Sequence, residues 1–313
     1  MKAAVIEKFG PPDVFRIKET DIPKPKANQV LIKVIASSIN PIDWKQRKGV
    51  HRYILGSPFP IILGYDVAGE IVEKGNKVVN FNVGDKVNTR LDNKYGGALA
   101  EYALASEKCL AGIPDNPDYE KYAALPLAAV TALQALRDKA NVKSGDEVLI
   151  IGAAGGLGYY AVQIATIYNA RVTAVSSKRH EELIHKLAPE VFVDYTKENI
   201  LHTNKKFDII FDVVGIYSFL QCKQMLKPKG RYVTSLPRLK LIVHKLLSIF
   251  TGKKVTTLMM RSVGKDISLV NKWYLENKLF VHIDKTFPLE KIADAHKYME
   301  EGHTEGKIVI RIQ

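Results

Sequence analysis

The sequence has few cysteines and no long apolar run, and both absences restrict what the chain can be. Its two cysteines, Cys109 and Cys222, form no C-x-x-C pair. This argues against a disulfide framework or a cysteine-based zinc cluster, and favours a reducing, cytoplasmic setting. No stretch of about 18 apolar residues occurs, so no transmembrane helix is predicted. The opening MKAAVIEKFG lacks the apolar core of a signal peptide.

Metal-binding and nucleic-acid-binding patterns are also missing. The eight histidines never recur at H-x-x-x-H spacing, so the usual imidazole pair of a zinc site is absent and no metal is predicted. The chain carries 46 Lys and Arg against 33 Asp and Glu, a net charge of +13. Such a charge suits anionic ligands, a membrane surface or nucleic acid. The cations are scattered and no nucleic-acid-binding motif occurs, so no nucleic-acid partner is expected.

What is present is the pattern of two domains in 313 residues. Residues up to about 120 contain short alternating runs broken by Gly, Pro, Asn and Asp, which predict a β-rich domain. Between 122 and 265, apolar strand-like runs alternate with helical stretches, as in a parallel sheet covered on both faces. We therefore predict an α/β fold in which a doubly wound Rossmann domain, 122–265, is inserted into a β-rich domain formed by 1–121 and 266–313.

The segment VLIIGAAGGLGYYAVQIA, 148–165, has the context of a dinucleotide-binding turn, because it joins a strand to a helix. Its fingerprint is altered: Ala153 stands where G-x-G-x-x-G has its first glycine. Gly155 would let the backbone approach a pyrophosphate at the helix N-terminus, and Gly158 would permit close helix–strand packing. The predicted phosphate-binding residues are Ala154, Gly155, Gly156, Leu157 and Gly158.

The end of the second Rossmann strand selects between NADH and NADPH. An NAD site places Asp or Glu there to accept from the ribose 2′-OH, whereas this chain has Ser176, Ser177, Lys178 and Arg179. Two hydroxyls and two cations suit a 2′-phosphate. Tyr195, at the end of the third strand, is expected to close the same pocket. NADPH is the predicted cofactor; the alternative is that the two cations belong to a solvated loop.

Several motifs together resemble one family over nearly the whole chain. They are SSINPIDWKQRKG, PIILGYDVAGEIVEKG, VGDKV, GGALAEYALA, AALPLAAVTALQAL, the glycine turn, FDVVG, LKPKGRYV and GKIVIRI. In these the chain resembles the zinc-independent quinone oxidoreductase and enone reductase branch of the medium-chain dehydrogenase/reductase superfamily. The resemblance implies a GroES-like catalytic domain, a Rossmann domain and a homodimer.

The resemblance also indicates why zinc is not expected. Zinc members bind the metal through Cys, His and Cys, and the matching positions here hold Asn40, Tyr65 and Leu127. Without a Lewis acid, alcohol oxidation lacks its means of acidifying a hydroxyl. Reduction of an already activated acceptor, a small lipophilic quinone or an α,β-unsaturated carbonyl, stays feasible.

The resemblance implies that Asn40, Asp43 and Lys45 lie beside the nicotinamide and the substrate. Lys45 is expected to donate to the developing enolate or to bind the cofactor ribose, and Asp43 to orient Lys45 or the ribose. Tyr65 is expected to donate a proton or to line the cleft. The structural alternatives are a turn at Asn40 and Pro41, a helix N-cap at Asp43 and simple packing of Tyr65. Four further cofactor contacts are implied less directly: Thr131, Val214, Gly215 and Leu236.

Residues 236–262 are longer than the family connection. Apolar residues at i, i+3, i+4, i+7, i+8 and i+11 from Leu239, with interspersed lysines, predict an amphipathic basic helix. This helix is expected to be a lid, a dimer contact, or a peripheral membrane contact through 239–254.

The leading functional prediction is thus an NADPH-dependent, zinc-independent reductase of quinones or enones. The alternative is a membrane-associated, cofactor-binding protein with little turnover.

Overall fold

The protein is described here from a computed structural model. The structure describes residues 1–50, 52–235, 248, 251–302 and 304–313. The chain divides into two compact units. The first consists of 1–128, 261–277 and 281–313, and the second of 129–260 and 278–280.

Sixteen strands lie in the described residues. They are β1 Lys2–Ile6, β2 Phe15–Glu19, β3 Gln29–Ile39, β4 Ile61–Ile62, β5 Asp66–Lys74, β6 Lys86–Arg90, β7 Tyr102–Ser106, β8 Leu110–Gly112, β9 Glu147–Ile151, β10 Arg171–Ser176, β11 Val191–Asp194, β12 Phe207–Asp212, β13 Leu226–Thr234, β14 Lys254–Thr257, β15 Ile283–Pro288 and β16 Lys307–Arg311.

The described α-helices number nine. They are α1 Pro41–Arg47, α2 Arg52–Leu55, α3 Tyr119–Ala123, α4 Pro126–Gln134, α5 Gly156–Ile167, α6 Glu181–His185, α7 Phe219–Cys222, α8 Gly264–Leu275 and α9 Ile292–Glu300. A π-helical segment, Ala135–Ala140, continues α4. No helix among the described residues combines the length and the apolar character needed to cross a membrane.

The second unit is built on a parallel six-stranded sheet with the order β11-β10-β9-β12-β13-β14. Numbered from β9, this is the 3-2-1-4-5-6 order of a Rossmann domain. The central strand EVLII is buried throughout, because a parallel sheet is covered on both faces. The sixth strand, Lys254–Thr257, lies within 236–262, a segment for which the sequence pattern predicts a helix and no strand.

The first unit is β-rich and mainly antiparallel, and only its β15 and β16 pair in parallel among the described strands. Seven strands form one sheet, in which β15-β16-β3-β5-β6-β8 lie side by side and β7 also pairs with β3. A second sheet has the order β2-β1-β4. The long strand β3 is buried at eight of its eleven residues, which makes it the centre of this unit. Its C-terminal end leads directly into α1, and this junction carries the candidate site.

Hydrogen bonds hold residues in their own unit close to the points where the chain passes from one unit to the other. Leu127 donates its N–H to Asp66 Oδ1 at 2.7 Å, which ties the start of α4 to the first unit. Phe280 is held in the second unit, because its N–H donates to Gln163 Oε1 at 2.6 Å and its carbonyl accepts from Gln163 Nε2 at 3.2 Å. Three residues of the predicted β-rich tail, 278–280, are thus grouped with the Rossmann strands.

Candidate active site

Helix α1 begins at a buried polar turn. Asn40 is its N-cap, with Pro41 at the first helical position, where a missing N–H has no cost. The Asn40 N–H donates to Asp43 Oδ2 at 2.7 Å, and the Asp43 N–H donates to the Asn40 carbonyl at 2.9 Å. Asp43 is therefore the third helical residue and not the N-cap that the sequence allowed. No hydrogen bond joins Asp43 Oδ1 to Lys45.

A carboxylate that sequence reasoning passed over, Asp66, organises the same junction. It is fully buried at the start of β5. Its Oδ2 accepts from Ser38 Oγ at 2.7 Å and from Asn40 Nδ2 at 2.8 Å, and lies 3.5 Å from Lys307 Nζ. Its Oδ1 accepts from the Leu127 N–H at 2.7 Å. We call Ser38, Asn40, Asp66 and Lys307, with the Leu127 N–H, the Asp66 cluster.

Tyr65 lies next to this cluster, but its hydroxyl is already bonded within the protein. It donates to the Lys94 carbonyl at 2.6 Å and accepts from Gln46 Nε2 at 2.6 Å. The ring lies beneath the Arg90 guanidinium, 4.2 Å from its carbon. Burial raises the pKa of Tyr65. With 3% of its surface exposed, Tyr65 fits the packing alternative better than that of a proton donor.

Asp43 has an unusual electrostatic position. It is fully buried, and its Oδ1 has no hydrogen-bond partner among the described residues. Burial raises the pKa of Asp43 to about 7, against the lowering effect of the Asn40 N–H. Around neutral pH the folded protein therefore holds this carboxyl partly protonated.

The far end of α1 is fixed as well. The fully buried Arg47 forms an ion pair with Glu300 of α9. Helix α1 is thus held at its N-terminus by Asn40 and at its C-terminus by Arg47. Between these points Trp44 and Lys45 are only half-buried, and Lys45 Nζ lies 5.6 Å from the Trp44 ring centroid. Lys45 is the predicted catalytic residue with the most exposed side chain.

The three positions that match zinc ligands of the family carry no Cys or His side chain, and each takes part in a hydrogen bond within the protein. The Asn40 amide bonds to Lys307 and Asp66, Tyr65 bonds to Lys94, and Leu127 contributes its backbone N–H. Across the described part of the chain, no three His, Cys, Asp or Glu side chains form a group suited to a metal ion.

In the second unit, the glycine turn connects β9 to α5 and shows why Ala153 is tolerated. The left-handed backbone conformation lies at Gly152, with φ of 88°, so the turn glycine stands one position earlier than in G-x-G-x-x-G. A Cβ on Gly158 would lie 2.0 Å from the Gly152 carbonyl oxygen, whereas one on Gly155 would lie 3.9 Å from that oxygen, at ordinary contact distance. Gly158 serves packing, and Gly155 leaves the N-terminus of α5 open to a ligand.

The end of β12 lies against this turn. A Cβ on Gly152 would lie 2.2 Å from Val214 Cγ2, so the missing side chain makes room for Val214. Gly215 has φ of 69° and donates its N–H to the buried Asp212 at 2.6 Å. The predicted contacts Val214 and Gly215 therefore lie at the carboxyl edge of the sheet, where an open α/β sheet binds ligands.

The predicted ribose-end residues are close together, and the carboxylates of Glu181 and Asp194 lie beside them. Ser176 and Ser177 are buried at the end of β10, and Lys178 and Arg179 follow exposed. Lys178 forms an ion pair with Glu181, and its N–H donates to Asp194 Oδ1 at 3.0 Å.

A cavity of about 300 Å³ opens beside these residues. It is lined by Lys178, Glu181, Phe192, Asp194, Lys197 and Glu198. Sheet register places Asp194 opposite Ser176, a contact across strands that periodicity within one strand could not reveal.

The remaining predicted residues are less central. Tyr195 is 54% exposed beyond β11, and its N–H donates to the Ser176 carbonyl at 3.1 Å. Thr131 is buried in α4. Leu236 and most of the predicted amphipathic helix 239–254 lie outside the described residues.

The two glycines of the turn give a matched pair of substitutions. Gly158→Ala forces a methyl group against backbone, so we expect a loss of roughly 1–3 kcal/mol in the free energy of unfolding. Gly155→Ala has room for its methyl group and an ordinary extended conformation, so its unfolding free energy should stay within about 0.5 kcal/mol of the parent protein.

Calorimetric titration with NADPH separates the packing role of Gly158 from the ligand-binding role of Gly155. Gly155→Ala should weaken NADPH binding by tenfold or more, about 1.4 kcal/mol. A Gly155→Ala protein that binds NADPH like the parent would contradict the assignment of this turn.

Burial of Asp43 predicts a pH-dependent stability. Its pKa is raised by folding from 3.8 to about 7, so the folded state holds the proton more tightly. The stabilising contribution is complete below pH ~4 and is lost as the pH rises through ~7, by up to about 1.4 kcal/mol per unit. Urea denaturation of Asp43→Asn, which cannot titrate, should therefore show a stability relative to the parent that increases between these pH values.

Asp294→Asn, at an exposed carboxylate of α9, is the control for a general charge effect. A difference between Asp43→Asn and the parent protein that does not vary with pH would show that Asp43 is ionised in the folded state.

Comparisons with known proteins agree on the family. Residues 26–115 match the alcohol dehydrogenase GroES-like domain, and residues 188–310 match a zinc-binding dehydrogenase domain. The chain is 37% identical to a chloroplastic quinone-oxidoreductase homologue of Spinacia oleracea, across 96% of this chain and 95% of the relative. It is 33% identical to a chloroplastic NADPH-dependent alkenal/one oxidoreductase of Arabidopsis thaliana, across 99% of this chain and 79% of the relative.

The solved structure of a quinone oxidoreductase from Coxiella burnetii has a TM-score of 0.93 and 34% identity, and it covers 100% of this chain and 99% of its own. These matches confirm the predicted fold class, a Rossmann sheet with a GroES-like domain. The chain belongs to the quinone oxidoreductase and enone reductase branch of the medium-chain dehydrogenase/reductase superfamily, a family of oxidoreductases.

Proposed function

We propose that this protein is a zinc-independent oxidoreductase that transfers hydride from NADPH to a small lipophilic quinone or to the double bond of an α,β-unsaturated carbonyl. One observation carries the proposal: Gly155 leaves the backbone open at the N-terminus of α5. The chain is also similar along its length to relatives named as a quinone-oxidoreductase homologue and an NADPH-dependent alkenal/one oxidoreductase. When bound, NADPH supplies the hydride, and the protein supplies binding, orientation and electrostatics.

The turn supports binding of the cofactor pyrophosphate. The first N–H groups of a helix have no partner within the helix, and the helix dipole favours an anion at this end. Ala154, Gly155, Gly156, Leu157 and Gly158 provide these groups. Val214 and Gly215, at the end of β12, are the residues proposed to lie along the nicotinamide half of the cofactor.

Helix α1 supports the reduction step. Negative charge develops on the acceptor oxygen as the hydride arrives, and a fixed hydrogen-bond donor stabilises that charge. We assign this role to Lys45, a half-buried cation on a helix that is held at both ends. Asn40, Asp43 and Tyr65 then act on the position of the helix, because the Asn40 amide and the Tyr65 hydroxyl are bonded within the protein and Asp43 Oδ2 accepts from the Asn40 N–H.

NADPH is proposed over NADH from the residues that follow β10. No carboxylate stands at Ser176 or Ser177, and Lys178 and Arg179 follow. The opposing observation is Asp194, which lies opposite Ser176 in the sheet and favours NADH, since a carboxylate accepts from a ribose hydroxyl. To bind a 2′-phosphate, the Lys178 ammonium has to leave its ion pair with Glu181.

The function is tested by initial rates with a series of quinones, enals and enones, each with NADPH and with NADH in parallel. We expect turnover with at least one acceptor and a higher kcat/KM with NADPH. Turnover with NADH alone would overturn the cofactor assignment. No turnover, together with measurable NADPH binding, would favour the alternative of a cofactor-binding protein.

The Lys178–Glu181 pair predicts a gain of affinity on removing an acid. Glu181→Gln frees Lys178, so the dissociation constant for NADPH should fall by several-fold, whereas that for NADH should stay unchanged. Lys178→Ala should raise the NADPH constant by roughly tenfold. The matched control is Glu182→Gln, whose carboxylate pairs with Lys186. Equal effects of Glu181→Gln on both cofactors would argue against a 2′-phosphate at this site.

A homodimer, a cytoplasmic location and a membrane contact through 239–254 stay predictions. The names of the relatives do not favour the membrane-associated alternative.

A further inference from the structure

The ion pair between Lys307 and Asp66 lies where three strands of the first unit meet. Lys307 is the first residue of β16 and Asp66 the first of β5, while Asn40 directly follows β3. The sheet register places Ile308 opposite Ile39 and Ser38 opposite Asp66. Side chains at such neighbouring ladder positions are within contact distance. Strand pairing therefore brings an ammonium group and a carboxylate together in a buried place.

The oxygen atoms around Lys307 Nζ match an ammonium group. Nζ lies 2.6 Å from Asn40 Oδ1, 3.2 Å from the Ile39 carbonyl oxygen and 3.5 Å from Asp66 Oδ2. An ammonium has three donors and no acceptor, so each donor has an oxygen to face. Burial lowers the pKa of Lys307, and the carboxylates of Asp66 and Asp43 oppose that effect.

These two charges fix the amide of Asn40 in one orientation. Lys307 can only donate and an ionised Asp66 can only accept, so Oδ1 must face the ammonium and Nδ2 the carboxylate. In a flipped amide, Nδ2 would face the Lys307 ammonium, a donor against a donor, and Oδ1 would face the Asp66 carboxylate, an acceptor against an acceptor. Asn40 in turn is the N-cap of α1 and bonds through its N–H to Asp43.

The same pair also fixes a second helix. Asp66 Oδ1 accepts from the N–H of Leu127, in the first turn of α4. A carboxylate at a helix N-terminus is favoured by the helix dipole. Leu127 belongs to the first unit, so this bond holds the first turn of α4 within that unit.

We propose that Lys307 is a positioning residue for the reduction, acting through Asn40 on α1 and through Asp66 on α4. This inference rests on the proposed function. It assigns to an internal ammonium the task of holding in place helix α1, whose Lys45 is proposed to contact the acceptor.

The test begins with Lys307→Met, which keeps the length of the side chain and removes its charge. A misplacement of about 1 Å costs on the order of 100-fold in rate, so we expect a fall in kcat of that size for the acceptor reduced best. The dissociation constant for NADPH should stay unchanged, because residues 152–158 are untouched. The midpoint temperature of unfolding should fall, since Asp66 is left buried without its cation.

A second variant separates positioning from simple charge balance. Lys307→Met with Asp66→Asn leaves no uncompensated charge, so the midpoint temperature should recover towards the parent value. Its kcat should stay low, because the Asn40 amide has lost the donor that fixes its orientation. Recovery of both would overturn the proposal. Arg311→Met, at the exposed end of the same strand, is the control and should leave kcat unchanged.

A readout independent of turnover separates this inference from the proposed function. In ¹⁵N-labelled parent protein, the side-chain amide protons of Asn40 should exchange slowly with solvent, and in Lys307→Met they should exchange at least tenfold faster. Slow exchange in both proteins would overturn the positioning role. If the parent protein reduces no acceptor, the proposed function fails, and the exchange rates still decide whether Lys307 orients Asn40.

Discussion

The buried carboxylate of Asp66 is the constraint on which the candidate site depends. A carboxylate without exposed surface is costly unless its charge is compensated and its oxygens are hydrogen-bonded. Here Lys307 compensates the charge, and Ser38, Asn40 and the Leu127 N–H satisfy the oxygens. Each partner comes from a different strand, junction or helix. Satisfying one acid therefore fixes the relative positions of β3, β5, β16, α1 and the first turn of α4.

The consequence for chemistry is a division of tasks along α1. Asn40 and Arg47 hold its two ends, and Tyr65 holds Gln46 on its buried side. What is left half-exposed is the middle of the helix, with Trp44 and Lys45. A short helix fixed at both ends is a rigid support for a donor, which is what stabilisation of developing charge requires. We therefore propose that Asn40, Asp43 and Tyr65 act on the position of Lys45.

The features that sequence could predict are the local ones. Apolar strands alternating with helices predicted a doubly wound parallel sheet, which the structure has. A glycine turn between a strand and a helix predicted a phosphate site, which stays a prediction. The four-residue strand β14 was too short to be recognised by its periodicity. Alignment with G-x-G-x-x-G places Ala153 at the first glycine, but the left-handed turn is made one residue earlier, at Gly152.

The features that sequence could not predict depend on contacts between distant residues. Lys307 and Asn40 are separated by 267 positions and meet only because β16 pairs with β3. Asp194 joins the ribose-end residues through the pairing of β10 with β11, where it accepts from the Lys178 N–H. The signal that would have found Asp66 is its place beside Tyr65, in a buried strand where a carboxylate needs a cation.

The central claim is that an internal ammonium and a network of hydrogen bonds, without zinc, support hydride transfer to an activated acceptor. It is tested most directly by the rate of NADPH-dependent quinone and enone reduction in protein shown by elemental analysis to contain no zinc. The account predicts full turnover in that protein and no increase when zinc is added. Turnover that begins only after zinc is added would contradict it.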